Sequence, residues 1–282
     1  MYSSITNFAE DSKIIKKTIS IDSIFRENPE RNLSTAFEYT LPICLTSVQS
    51  ISIKSVEIPV ESIYPVSETM DSNFFTIQSQ NIQYTISINS GIYTKELIQL
   101  KLNEILQNTP GLESIQYSID PISQISSFKT VIETDISFEF QFAFLETNSN
   151  RYKKYDQVLG GYLGFRETTP YVCSKTTPII SESTFGTSVQ KYVFLNIVDY
   201  SDHWDKDNDE ISVRQYPYFN STYTMGQISL TNPANSVFIT RNYFGKNAHI
   251  KNLRISLVDK HGIAIDLNNN DFSFILEVIL SK

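Results

Sequence analysis

The residues best suited by type and spacing to do chemistry lie in DHWDKDNDE, positions 202–210. Asp205, Asp207 and Asp209 alternate as the first oxygen ligands of a calcium loop do, because such a loop turns every second side chain toward one centre. The remainder of that loop is missing. Glu210 stands where the sharp turn needs glycine, and Tyr216 stands where a bidentate glutamate closes the coordination shell. The three aspartates are a candidate cation site, and a solvated acidic loop is the simpler reading. His203 in the same run has Asp202 and Asp205 close by, and either could orient it as a general base. An exposed loop histidine is the plainer account.

Elsewhere the reactive residue types lack partners. His249 and His261 belong to no HxH or HExxH pattern, so a metal centre has no support from them. Cys44 and Cys173 are too few for a disulfide framework or for a zinc site on their own, and read as two small buried hydrophobes in a reducing compartment. LGGYLGFR (159–166) has Gly160 and Gly164 four apart, but no following Lys–Ser/Thr turns it into a phosphate cradle. Its glycines read as a turn packed closely on a core. No GxSxG elbow occurs among the serines. RYKK (151–154) is a local basic patch, which is either a solvated loop or a contact for anionic lipid or an acidic neighbour. The expectation is no catalytic residue, no cofactor and no bound metal beyond the candidate aspartates.

Bulk properties narrow the partners. The formal charge of −8 argues against coating nucleic acid, so no specific nucleic-acid partner is expected, while binding to other proteins stays open. No run of about 18 apolar residues occurs to span a membrane as a helix. The start, MYSSITNFAEDSKIIKK, has no basic leader followed by an apolar stretch.

The elements that must position these residues are mostly strands. Residues 1–12 are polar and aperiodic and read as an N-terminal arm; residues 13–282 read as a single elaborated β-sandwich domain. Phe37, Tyr39 and Leu41 alternate with polar residues, and Pro42 is expected to end that strand. A long strand follows from Val48 to Ile58. Ile51 and Ile53 share one parity while Val56 and Ile58 share the other, so a bulge or a change of covered face is expected near Lys54–Ser55. Ile82, Tyr84, Ile86 and Ile88 form an alternating row. Phe138, Phe140, Phe142 and Phe144 form another, which suggests the centre of a large core. One α-helix is clear, about 94–108, with Thr94 as its N-cap and Ile98, Leu102, Ile105 and Leu106 on one apolar face. Residues 146–190 read as a long irregular connection. The fold class is mostly β, a jelly-roll-like antiparallel β-sandwich.

At this point the chain resembles a known family, the minor capsid and penton-type proteins of nucleocytoplasmic large DNA viruses (giant viruses). The resemblance lies in SIDSIFREN (20–28), FEYTLPICLTSVQSISIKSVEIPVESIYPV (37–66), NFFTI (73–77) and INSGIYTKELIQLKLNEIL (88–106), then VLGGYLGF (158–165), FLNIVDY (194–200) and LRISLVDKHGIAIDLNNNDFSFILEV (253–278). The pieces fall in the family's order and cover most of the chain. The resemblance implies a single jelly roll with elaborations and a structural role in an icosahedral capsid. It implies no enzymatic activity and supplies no catalytic residues. The implied partners are the major capsid protein, other capsid proteins, further copies of the chain (a pentamer if it is a penton) and an internal membrane. The implied location is the virion, assembled in the host cytoplasm. The arm, residues 146–190 and the acidic loop 201–210 are the expected contact elements. The alternative is a β-sandwich binding module recognising host glycans or another surface ligand; the many tyrosines permit it.

Overall fold

The computed structural model describes residues 14–131, 136–144, 153–186, 189–199, 223–243 and 248–281. In chain order the first strands are β1 (Ile14–Asp22), β2 (Ala36–Glu57), β3 (Phe74–Ser79) and β4 (Ile82–Ser87), followed by helix α1 (Lys95–Asn108). Next come β5 (Ile115–Ile119), β6 (Ile125–Thr130), β7 (Phe138–Gln141), the single-turn helix α2 (Leu159–Tyr162), β8 (Tyr171–Cys173) and β9 (Ile179–Thr184). The last are β10 (Tyr192–Asp199), β11 (Thr224–Ser229), β12 (Val237–Phe238), β13 (Thr240–Asn242), β14 (Ala248–Val258) and β15 (Ser273–Ser281). The chain is mostly β with antiparallel, curled sheets, consistent with a jelly-roll-like sandwich. Contacts divide it into two compact units: residues 1–63 with 191–282, and the intervening residues 64–190.

The first unit is one sheet in the order β1-β15-β2-β14-β10-β11-β12, with β13 also on β2. Few of these neighbours are consecutive in sequence, and β2 links the set. Its later half pairs with β15 and its earlier half with β14. Ile275 pairs with Ser55 and Leu276 with Ile53, so Lys54 is passed over. This is the expected bulge, and it lets Val56 and Ile58 pack on the same core as Ile51 and Ile53. Two further irregularities keep the parity right. Gln49 is passed over between Val48 and Ser50, and Ser47 takes a left-handed φ of 59° between Leu45 and Val48.

Pro42 does not end the first strand as expected. Asn252 pairs with Thr40 and Ile250 with Leu45, so residues 41–44 bulge past the single residue Lys251 of β14 while the strand continues. A proline with no ladder bond to donate is harmless there. The same bulge carries Cys44 outward, and its thiol is exposed rather than buried.

The second unit holds two sheets, β4-β3-β7-β8 and β5-β6-β9. Thr94 caps α1 by accepting from Leu97 N at 3.2 Å, and Ile98, Leu102 and Leu106 are buried beneath the helix. Phe138, Phe140 and Phe142 are buried with Phe75, Phe128 and Phe165, while Phe144 is half-buried against Phe74. Ile86 and Ile88 are buried as their row requires, whereas Ile82, at its end, is 55% exposed.

Residues 153–186 are not the irregular connection expected over 146–190. They supply β8, which pairs with β7, and β9, which pairs with β6. Ahead of both strands the segment 159–165 is fully buried. A Cβ on Gly160 would stand 2.4 Å from the Phe142 side chain, and one on Gly161 would stand 1.5 Å from the Tyr155 carbonyl oxygen. The glycines are packing devices, as the sequence suggested.

Candidate functional site

Asp205, Asp207 and Asp209, the candidate cation ligands, lie outside the described residues, as do His203, the arm 1–12 and the loop 201–210. Among the described residues no group of three or more His, Cys, Asp and Glu side chains is placed to hold a metal ion. Among the same residues no helix is long and apolar enough to cross a membrane. His249 is exposed on β14, and His261 lies in the turn organised by Asp259, whose carboxylate accepts from the backbone N–H groups of His261 and Ile263 at 2.8 and 2.9 Å. Lys153 of the basic patch points inward, with its ammonium on Met70 O at 3.2 Å and on Asp71 at 3.4 Å. Cys173 is buried, and that burial pushes its thiol pKa up.

Three polar constellations organise the described surface and edges. In the first, SIDSIFREN meets NNNDFSF. Asp22 caps the 3-10 turn Ser23–Phe25 by accepting from Ile24 N at 3.0 Å. Arg26 donates from Nη1 to Asp271 at 2.6 Å and to Ser23 O at 2.8 Å, and from Nε to Asn32 O at 3.0 Å. Ser23 Oγ donates to the same Asp271 oxygen at 2.7 Å and accepts from Phe272 N at 3.0 Å. These bonds fix a loop on which Ile24, Phe25 and Leu33 stand 57, 73 and 55% exposed.

The second constellation lies on β15. Glu277 receives Lys16 from β1, and Lys54, the bulge residue of β2, at 2.8 Å. The hydrogen bonds from Lys16 and then Lys54 hold its carboxyl below the usual range. The third closes the end of β10. Buried Asp199 accepts from Arg241 at 3.1 Å and from the Tyr243 hydroxyl, and Arg241 also donates to Ile197 O at 2.9 Å. Burial first, and the Asp199 charge second, push the Tyr243 pKa up.

None of these residues carries a sequence motif for chemistry. Glu277 left a trace, as the one charge within the apolar run FSFILEVIL, and Asp199 another, at the end of FLNIVD. Their partners lie far away along the chain and left none. Each constellation pairs charge with charge or satisfies backbone; none aligns a nucleophile with a base. What they do is hold loops and edges in place.

No family model matches the chain, and no curated protein sequence matches it. Among solved structures it is similar to the mavirus penton protein at 10% identity and a TM-score of 0.33, over 96% of this chain and 100% of that one. It is also similar to a chain of the Sputnik virophage structure at 10% identity and a TM-score of 0.34, over 95% of this chain and 98% of that one.

Proposed function

We propose that this chain is a structural component of an icosahedral virus capsid, a penton (vertex) or minor capsid protein that stabilises the shell through protein–protein contacts. One observation carries the reading. Four of the seven family-like segments, 20–28, 37–66, 194–200 and 253–278, scattered along the sequence, contribute strands to a single antiparallel sheet, with Arg26 of the first bound to Asp271 of the last. A resemblance confined to generic strand patterns would not require its pieces to be one another's partners.

The role asks for rigidity and surface rather than a reactive group. Multivalent contacts become strong when neighbours are held together, so each single contact can be weak. The exposed Ile24, Phe25 and Leu33 on a braced loop suit that use. The partners we propose are the major capsid protein, other capsid proteins and further copies of this chain, five around an axis in the vertex role, in a particle assembled in the host cytoplasm. Lys153 is held by Met70 and Asp71, which leaves RYKK with less positive charge to offer an internal membrane, so protein contacts take precedence.

Native mass measurement of the purified chain, alone and with the major capsid protein, tests the proposal. A pentamer supports the vertex role, and a complex with the major capsid protein supports the minor-capsid role. Absence of the protein from purified particles, or normal particle assembly without it, would overturn both.

A further inference from the structure

Helix α1 does more than cover a core: its amide side chains occupy the outer edge of β5. That strand ends the sheet β5-β6-β9, so one row of its backbone groups has no strand beside it. Exposed rows of this kind recruit strands from other molecules, and proteins block them by explicit means. Here the three outward N–H groups, of Ile115, Tyr117 and Ile119, and the Tyr117 carbonyl are engaged. Asn103 Nδ2 donates to Tyr117 O at 2.9 Å, and Asn103 Oδ1 accepts from Tyr117 N at 2.8 Å. Gln99 Oε1 accepts from Ile119 N at 3.0 Å, and Ile115 N donates to Leu112 O at 2.9 Å.

The chemistry and the spacing both fit. A primary amide carries the same donor and acceptor as a peptide group, so Asn103 makes toward Tyr117 the two bonds that an antiparallel neighbour would make. Gln99 and Asn103 are four apart on a helix, a rise of about 6 Å. Tyr117 and Ile119 are two apart on a strand, a rise of about 6.8 Å. The two repeats are close enough for flexible side chains to bridge. The helix thereby imitates a strand without offering an edge of its own.

We propose that α1 is an edge guard, in which Gln99 and Asn103 block an extended segment of a second copy of this chain from adding to β5. The inference stands independently of the capsid reading. Replacing both amides, Gln99→Ala with Asn103→Ala, tests it by amide exchange and sedimentation velocity against the wild-type chain at matched concentrations. Exchange at Tyr117 and Ile119 is expected to rise about tenfold at low concentration, with Ile115 unchanged. On concentrating, the variant is expected to form assemblies beyond those of the wild type, with Tyr117 and Ile119 protected again. Asn103→Ala alone serves where the double variant loses its helical circular dichroism, and it should open Tyr117 but not Ile119. Wild-type exchange at both amides overturns the proposal. So does faster exchange with a wild-type sedimentation profile at every concentration, which would reduce the amides to ordinary structural bonds.

Discussion

Arg26 reaches across 245 positions of sequence to place Nη1 2.6 Å from the Asp271 carboxylate, with their side chains 11 and 29% exposed. Arg26 Nε also donates to Asn32 O, and Ser23 Oγ donates to the same Asp271 oxygen while accepting from Phe272 N. Hydrogen bonds to charged groups in such settings contribute roughly 1.5–3 kcal/mol. Arg26→Ala and Asp271→Ala should each lower stability by about 2 kcal/mol in urea unfolding, and the double variant should cost little more than either. Fully additive losses would mean that the two residues act separately.

The bulge at Lys54 makes an unusual forecast about deletions. Removing Lys54 leaves Ile53, Ser55 and Val56 in regular alternation, so each keeps its face. The loss is one solvent-screened partner of Glu277 and some local twist, so the expected cost is small. Removing Ser52 instead makes Ile51 and Ile53 adjacent, which turns one of two buried isoleucines to the wrong face. That cost should exceed about 3 kcal/mol. Equal melting temperatures for the two deletions would sink the bulge as the source of the parity switch.

How much of this was legible in the sequence depends on the range of the signal. The helix announced itself because Thr94, Ile98, Leu102 and Leu106 lie within four turns and their spacing is the signal. The bulge at Lys54 was legible because Ile51, Ile53, Val56 and Ile58 straddle it. Pro42 misled because a proline's missing donor is also tolerated where a strand loops past its partner. Strands β8 and β9 escaped notice because YVC is too short to show a period and β9 buries Ser181 where an apolar residue would have marked the face. The pairings Arg26–Asp271 and Asp199–Arg241 were not legible even where one member, Asp199, left a trace, since one sequence records no partner at long range.

Glu277 predicts an acid-side loss of stability. Its folded-state pKa lies below the ordinary value of 4.5, because the hydrogen bonds from Lys16 and Lys54 favour the carboxylate. A depressed carboxyl contributes stability that is fully present above its unfolded pKa and is lost as pH falls through its folded pKa. The window therefore opens near pH 4.5 and runs downward. Glu277→Gln should lower the melting temperature at pH 7 and flatten the decline below pH 4.5. A variant curve parallel to wild type through that range would show that the lysines add nothing to the folded state.

Two glycines should respond to alanine in opposite degrees. Gly161 has no room, since its Cβ would fall 1.5 Å from the Tyr155 carbonyl oxygen, a backbone atom that cannot swing aside. Gly186 has open space around it and only a positive φ of 75° to strain. Gly186→Ala should cost about 1 kcal/mol, the usual penalty for a left-handed residue with a Cβ. Gly161→Ala should cost more than about 4 kcal/mol, or yield no soluble protein. Comparable stabilities in thermal unfolding would contradict the close approach of turn and carbonyl.

Residues 13–282 read as one domain because no linker composition interrupts them, yet residues 64–190 carry a core of their own. Phe75, Tyr117, Phe128, Phe140 and Phe165 are each less than 2% exposed, with α1 and two sheets gathered around them. A core of that kind is what lets a segment fold independently. A fragment spanning 64–190 should therefore unfold cooperatively in urea and retain the slow amide exchange of Phe75 and Phe128. If the fragment instead binds apolar dye and melts without a transition, its core needs the rest of the chain, and 13–282 is a single folding unit.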